Sequence, residues 1–292
     1  GMEAHPGQAT VFELDEVYHH REIDKKTGFV AVAGFGPAQT ATIKVLNAAF
    51  KQPDRNVRCL PVQPGDVKSL KKMLDALKVK AILVKGPLGS ELVPLADTVD
   101  KYDQQSAYLD LLLRKDDGWH GYNTLWRAAL KTLEAKIGGD GASKPLGGRN
   151  VLVLGNGGIA RSLAYAVGQR KGLVSVCGPD DAAAKQSASE LGCRFVPYQN
   201  LFDTLTDVIV IADPKLVAGQ KQGQINPSLF KGGQYVVDAS DPPGENTLYV
   251  EAKDRGSKMV SPVDIFKEQT RAQFKSLTGK DFPEEALSAS GL

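Results

Sequence analysis

The apolar positions of this chain fall into short runs rich in β-branched residues, separated by longer stretches with helical spacing. The run at 29–33 (FVAVA) ends in Gly34, with Gly36-Pro37 just behind it, and predicts a strand entering a loop. Residues 42–51 follow with Ile43, Leu46, Asn47 and Phe50 on related faces, which is the spacing of a helix. The alternation repeats with a strand at 57–62, a helix at 64–77 (Val67, Leu70, Met73 and Leu77 inward) and a strand at 81–84 closed by Gly86-Pro87. Regular β–α alternation of this kind predicts a mostly parallel sheet. Beyond it, 106–114 and 119–124 read as extended runs around the turn Asp116-Asp117-Gly118, a hairpin, and 125–136 as an amphipathic helix.

A Gly/Ser/Pro stretch at 138–145 and Gly147-Gly148 interrupt the pattern, which restarts at Asn150. The runs VLVLG, LVSVCG, FVPY, TDVIVIAD and QYVVDAS are compact and suited to burial on both faces of a parallel sheet. From about Ser261 the chain reads as helical again. At 292 residues it exceeds the ~250 at which single cores stop growing, so two α/β units are expected, divided within 125–148.

Charge and cysteine usage narrow the partners. The formal net charge is +2 with both signs interspersed, so no basic field points to nucleic acid. No apolar stretch reaches the roughly 18 residues of a membrane span, and the start does not read as a signal peptide. Gly1 before Met2 looks like a tag scar. Cys59, Cys177 and Cys193 have no C-x-x-C spacing and leave an odd thiol, which suits a reducing compartment; the cytoplasm is the expected location. His5, His19, His20 and His120 lack metal-ligand spacing, and no metal site is expected.

The sharpest motif is Gly155-Asn156-Gly157-Gly158-Ile159-Ala160, a G-x-G-x-x-G/A fingerprint directly after the strand-like 151–154 and before a helical stretch. The first glycine permits a tight turn, the second lets backbone approach a pyrophosphate, and the small sixth residue lets helix and strand pack. Free N–H groups and the helix dipole then favour the anion. At the end of the next strand stand Gly178-Pro179-Asp180-Asp181, with no Lys or Arg until Lys185. A carboxylate there accepts a ribose 2′-OH and repels a 2′-phosphate, so of NADP and NAD the residues favour NAD.

Motifs spread along nearly the whole chain resemble the shikimate dehydrogenase family. They are GNGGIAR (155–161), GYNT (121–124), FKEQTRAQFKSLTG (266–279), and Asp238 with Thr247-Leu248. The resemblance implies an oxidoreductase that transfers hydride between a nicotinamide cofactor and shikimate/3-dehydroshikimate or a related hydroxy acid. It implies an N-terminal, open, mostly parallel α/β substrate domain (1–124 and 262–292, the C-terminal helices returning) and a Rossmann dinucleotide domain (125–261). It assigns substrate binding to Thr40 and Thr42 in place of a Ser-x-Ser pair, to Asn123 and to Gln269, and places Asp213-Pro214 near the nicotinamide. Upstream, HPGQATVFELDEVYHHREID resembles the connector of fused dehydroquinate dehydratase/shikimate dehydrogenases, which implies a larger fused polypeptide.

The departures fall on the chemistry. Gly89 stands where the family has its catalytic lysine, Leu125 where it has the aspartate, Asp110 at a substrate-binding asparagine and Asp241 at a tyrosine. Lys85 and Asp110 restore the lost residue types nearby and are the expected acid/base pair. The alternative is a catalytically silent dinucleotide- or ligand-binding module of an aromatic-pathway protein, in which Lys85 and Asp110 form only an ion pair.

Overall fold

The computed structural model describes residues 9–34, 36–51, 56–63, 67–76, 79–138, 144–221, 223–289 and 291. His5 and the start of the connector, residues 64–66 and 77 of the second expected helix, and 139–143 of the glycine-rich stretch lie outside them.

The chain opens with α1 (Val11–Glu16), fixed by a capping box in which the Thr10 hydroxyl accepts from Glu13 N at 3.1 Å and the Glu13 carboxylate accepts from Thr10 N at 2.9 Å. Then come β1 (Gly28–Ala33), α2 (Gly36–Phe50), β2 (Val57–Val62), α3 (Val67–Ala76) and β3 (Ala81–Val84). A 3₁₀ segment at Gly86–Leu95 leads to β4 (Thr98–Val99), α4 (Lys101–Ser106), the hairpin β5 (Leu111–Lys115) and β6 (Gly118–Tyr122), and α5 (Leu125–Gly138).

These strands form one sheet in the order β2-β1-β3-β5-β6-β4. Three of its five pairings are parallel, and β5 runs antiparallel to both neighbours. The hairpin expected from Asp116-Asp117-Gly118 reverses the chain: Lys115 pairs with Gly118, whose φ of 126° only glycine adopts readily. Two expected boundaries move. Helix α2 starts at Gly36 rather than 42, because Pro37 suits a first helical turn and no further proline interrupts it. Ser106 ends α4 instead of opening a strand, since Asp100 caps that helix by accepting from Tyr102 N at 2.9 Å.

The second half contains β7 (Asn150–Leu154), α6 (Gly158–Gln169), β8 (Leu173–Cys177), α7 (Asp181–Leu191) and β9 (Arg194–Phe195). It continues with β10 (Val208–Ile211), β11 (Tyr235–Asp238), α8 (Thr247–Asp254) and β12 (Lys258–Val260). All are parallel, in the order β12-β11-β10-β7-β8-β9. This is the doubly wound Rossmann order, whose ligand crevice lies at the carboxyl ends of β7 and β10 where the winding reverses.

Helices α9 (Pro262–Thr278) and α10 (Glu285–Ala289) return to the first sheet. Phe266, Phe274, Phe282 and Leu287 join the core of β1 and α2, and the Phe274 and Phe50 rings lie 5.4 Å apart. The returning α9 thereby carries Gln269 to the C-terminal edge of the first sheet.

Candidate active site at the strand ends

Lys85 follows β3 directly, and Asp110 precedes β5, its antiparallel neighbour; Val84 N donates to Asp110 O at 2.9 Å. Strand pairing therefore brings two residues distant in sequence to one edge. Both are buried, Lys85 at 6% exposure and Asp110 at 0%. They are joined through Gln269 on α9: the Lys85 ammonium donates to its Oε1 at 3.0 Å, and its Nε2 donates to Asp110 Oδ2 at 2.9 Å. Buried polar groups demand partners, and one amide serves both here.

Asp110 is heavily committed. Its Oδ1 accepts from Thr124 N at 2.8 Å, its Oδ2 from Leu125 N at 2.6 Å, and both oxygens accept from the Thr124 hydroxyl at 3.0 Å. The carboxylate thus caps the start of α5, where negative charge is favoured. It sits against the backbone of residue 125, the position of the family's aspartate. Burial raises its pKa, opposed by the Thr124 N–H, Lys85 and Gln269. The expected pair is therefore a bridged triad, because α5 has claimed the carboxylate.

Lys85 has no such saturation. Burial depresses its pKa to about 8, against the pull of Asp110 and Asp241. Its ammonium lies 5.4 Å from the Phe266 ring centre. Asp241, half-buried on the segment after β11, belongs to the other half of the molecule; burial raises its pKa while Lys85 lowers it. Its role as a charge facing Lys85 was missed in the sequence, although its substitution for tyrosine marked the position.

The remaining expected substrate ligands make their described hydrogen bonds to other partners. Thr40 and Thr42 are helical, and their hydroxyls donate back to Gly36 O at 3.4 Å and Ala38 O at 2.8 Å. Thr40 is exposed, beside Glu13 and Lys44 in a surface hollow of about 220 Å³, whereas Thr42 is fully buried. The early start of α2 is the cause. Asn123 is also buried, and its Nδ2 donates to Ser162 on α6 at 2.8 Å, which ties the two halves together.

Position 89 leaves no room for the family's lysine. An ideal Cβ there lies 2.6 Å from Leu109 O and 2.4 Å from Tyr108 Cε2. The signal available in the sequence was Tyr108 itself, a bulky ring two residues before Asp110.

The glycine-rich loop has the opposite character. Gly155 takes φ 127°, and a Cβ would lie 3.0 Å from Asp213 Cβ, which brings Asp213 to the crevice between β7 and β10. Asp213 Oδ1 accepts from Lys215 N at 2.9 Å, closing a turn. Gly157 is exposed with nothing within 4 Å of a Cβ, and α6 has no side-chain cap, so its first N–H groups are available. Ile159 and Ala160 are buried and anchor the helix, while half-buried Asn156 lies beside Gly178. These features fit a dinucleotide pyrophosphate. Asp180 caps α7, its Oδ1 accepting from Ala182 N at 3.0 Å and Ala183 N at 3.1 Å. Among the described residues, no cluster of His, Cys, Asp and Glu could hold a metal, and no helix is long and apolar enough to cross a membrane.

No protein-family model matches the chain. It is 26% identical over 291 residues to a shikimate dehydrogenase (NADP(+)) of Moorella thermoacetica, covering 92% of this chain and 97% of that protein. It is 25% identical over 293 residues to the chloroplastic bifunctional 3-dehydroquinate dehydratase/shikimate dehydrogenase of Arabidopsis thaliana, covering 96% of this chain and 49% of that one. The crystal structure of shikimate dehydrogenase from Aquifex aeolicus superimposes with a TM-score of 0.77 at 25% identity, over 92% of this chain and 99% of that chain. In sequence and in two-domain architecture, this chain is similar to the shikimate dehydrogenases over more than nine-tenths of its length.

Proposed function

We propose that this chain is a nicotinamide-dependent dehydrogenase of shikimate/3-dehydroshikimate or a closely related hydroxy acid, with an altered active site. The observation that carries the reading is Gln269 joining Lys85 to Asp110 at a strand edge that faces Asp241. Residues 1–124 and 262–292 form the substrate half, and 125–261 the dinucleotide half, held through Gly155–Ala160, Asp180 and Asp213. A bound nicotinamide supplies the hydride chemistry. Lys85 moves the proton: neutral, it takes the proton of the substrate hydroxyl in oxidation; charged, it returns one to the oxygen in reduction. A pKa of about 8 keeps both forms accessible near neutrality. Asp110 is a positioning residue, acting on Lys85 through Gln269. Substrate binding falls to Gln269, with Asn123, Thr40 and Thr42 the further candidates that the family resemblance names.

The capping carboxylate of Asp180 at the ribose end of the crevice supports NAD, whereas the Moorella relative is named for NADP(+). The Arabidopsis relative supports a fusion to a dehydratase-like domain upstream. A second reading has one observation behind it: the four donors that Asp110 accepts from commit it to structure, as in a silent binding module.

Calorimetry with NAD, NADP, shikimate and quinate, followed by turnover, separates these readings. Binding of a dinucleotide and a hydroxy acid, with nicotinamide reduction, supports the dehydrogenase. Dinucleotide binding with no hydroxy-acid binding identifies the silent module.

A further inference from the structure

The proton-handling group leaves one buried side chain at the junction of the two halves unexplained. Tyr108 is 2% exposed and fills the space between two glycines from different halves. A Cβ on Gly89 would meet its Cε2 at 2.4 Å and Cζ at 2.6 Å; one on Gly158 would meet its Cβ at 2.9 Å and Cδ2 at 3.0 Å. The ring is thus held between the loop following Lys85 and the first turn of α6. Its hydroxyl donates to Gly86 O at 2.9 Å, the carbonyl next to Lys85. Burial, with Asp110 and Asp241 nearby, raises its pKa well above the usual phenol value, so the ring stays neutral.

Gly89 and Gly158 therefore border this ring, and the Gly86 carbonyl holds its hydroxyl. Neither Gly89 nor Gly158 has a side chain that could follow if the ring were removed, so a void would open on their sides of it, although the ring also belongs to the buried cluster that includes Leu125 and Trp126. That space separates the proton-moving lysine from the dinucleotide loop, which is where substrate and cofactor must meet.

We propose that Tyr108 is a specificity-determining residue: its ring limits the room between the Lys85 loop and the glycine-rich loop, so that only a compact hydroxy acid is admitted. The proposal rests on the dehydrogenase reading above. A rigid aromatic wall discriminates by exclusion, and a single methylene of difference in a pocket is already worth about 10- to 200-fold. The phenol oxygen holds the ring in place through Gly86 but is not needed for exclusion. Tyr108→Phe should therefore keep the selectivity and Tyr108→Ala should lose it.

The test compares wild type, Tyr108→Phe and Tyr108→Ala with shikimate and with chlorogenate, a quinate carrying a bulky aromatic ester. Both binding by calorimetry and kcat/KM with a saturating dinucleotide are measured, after thermal melting has confirmed folding. We expect wild type and Tyr108→Phe to discriminate alike, and Tyr108→Ala to shift toward chlorogenate by about tenfold or more. A folded Tyr108→Ala with unchanged discrimination overturns the proposal. If Tyr108→Ala does not fold, Tyr108→Leu, with a smaller void, is judged by the same criterion. If wild type binds these acids but turns over neither, the dehydrogenase reading fails, and the binding ratios still decide the role of Tyr108. If no variant binds either acid, both fail.

Discussion

The carboxyl edges of the two sheets solve opposite problems. At the Rossmann edge the turn at Gly157 is open: Gly157 is exposed and α6 has no side-chain cap, while Gly158 behind it packs against Ser90 and Tyr108. At the other edge, side chains satisfy each other. Asp110 accepts from Thr124, Leu125 and Gln269, and Gln269 takes the Lys85 ammonium. An open edge binds with little reorganisation. A closed edge stores its charge internally and must release it to substrate. Among the described residues of this group, Lys85, whose ammonium donates to Gln269 alone and whose pKa is depressed, is poised for that release.

The contrast breaks most sharply at Asp110. Replacing it with alanine leaves the buried N–H groups of Thr124 and Leu125 and the Gln269 amide without an acceptor. We expect a loss of about 3–5 kcal/mol in urea unfolding. A loss below about 1 kcal/mol would mean that α5 does not depend on this cap.

Lys85 should show the reverse sign. Its pKa is about 8 in the fold against an ordinary 10.5, so between those values the unfolded chain holds a proton the native chain has lost. Native stability then rises with pH through that window. Below pH 8 the full cost of burying the charge is present. Lys85→Met should be more stable than wild type there by up to roughly 3 kcal/mol, at about 1.36 kcal/mol per pK unit, and the gain should shrink toward pH 10.5. Denaturant melts at pH 7 and pH 10 would read this. A pH-independent difference would show that the ammonium is not desolvated.

At the open edge, Gly155→Ala meets a left-handed φ and a contact 3.0 Å from Asp213 Cβ, and should cost about 1–3 kcal/mol. Gly157→Ala faces free space with φ −76°, and should alter melting much less. Equal destabilisation by both would remove the distinction between a constrained turn and an open anion site.

Much of this was legible in the sequence where the determinants are local. The glycine fingerprint, the buried strands of the Rossmann half and the hairpin at Asp116-Asp117-Gly118 depend on near neighbours, and spacing alone places them. Lys85 and Asp110 stand out through the residue types missing at 89 and 125, and the pairing of β3 with β5 brings them to one edge. What spacing could not show was the bridge between them, because Gln269 reaches the site only through the tertiary return of α9. The helical setting of the threonines has a local reason: with Pro37 in the first turn, α2 absorbs Thr40 and Thr42, and backbone carbonyls take their hydroxyls. Tyr108 needed the third dimension entirely, since its partners Gly89 and Gly158 come from separate halves.

The most direct measurement is nicotinamide reduction by shikimate or quinate, with NAD and with NADP, in wild type and Lys85→Ala at high enzyme concentration. Removing a general acid/base group costs about 10²- to 10⁴-fold. Turnover in wild type that falls by that factor in Lys85→Ala, with dinucleotide binding intact, is the predicted result. Turnover that survives the substitution unchanged would contradict the assignment of proton transfer to Lys85.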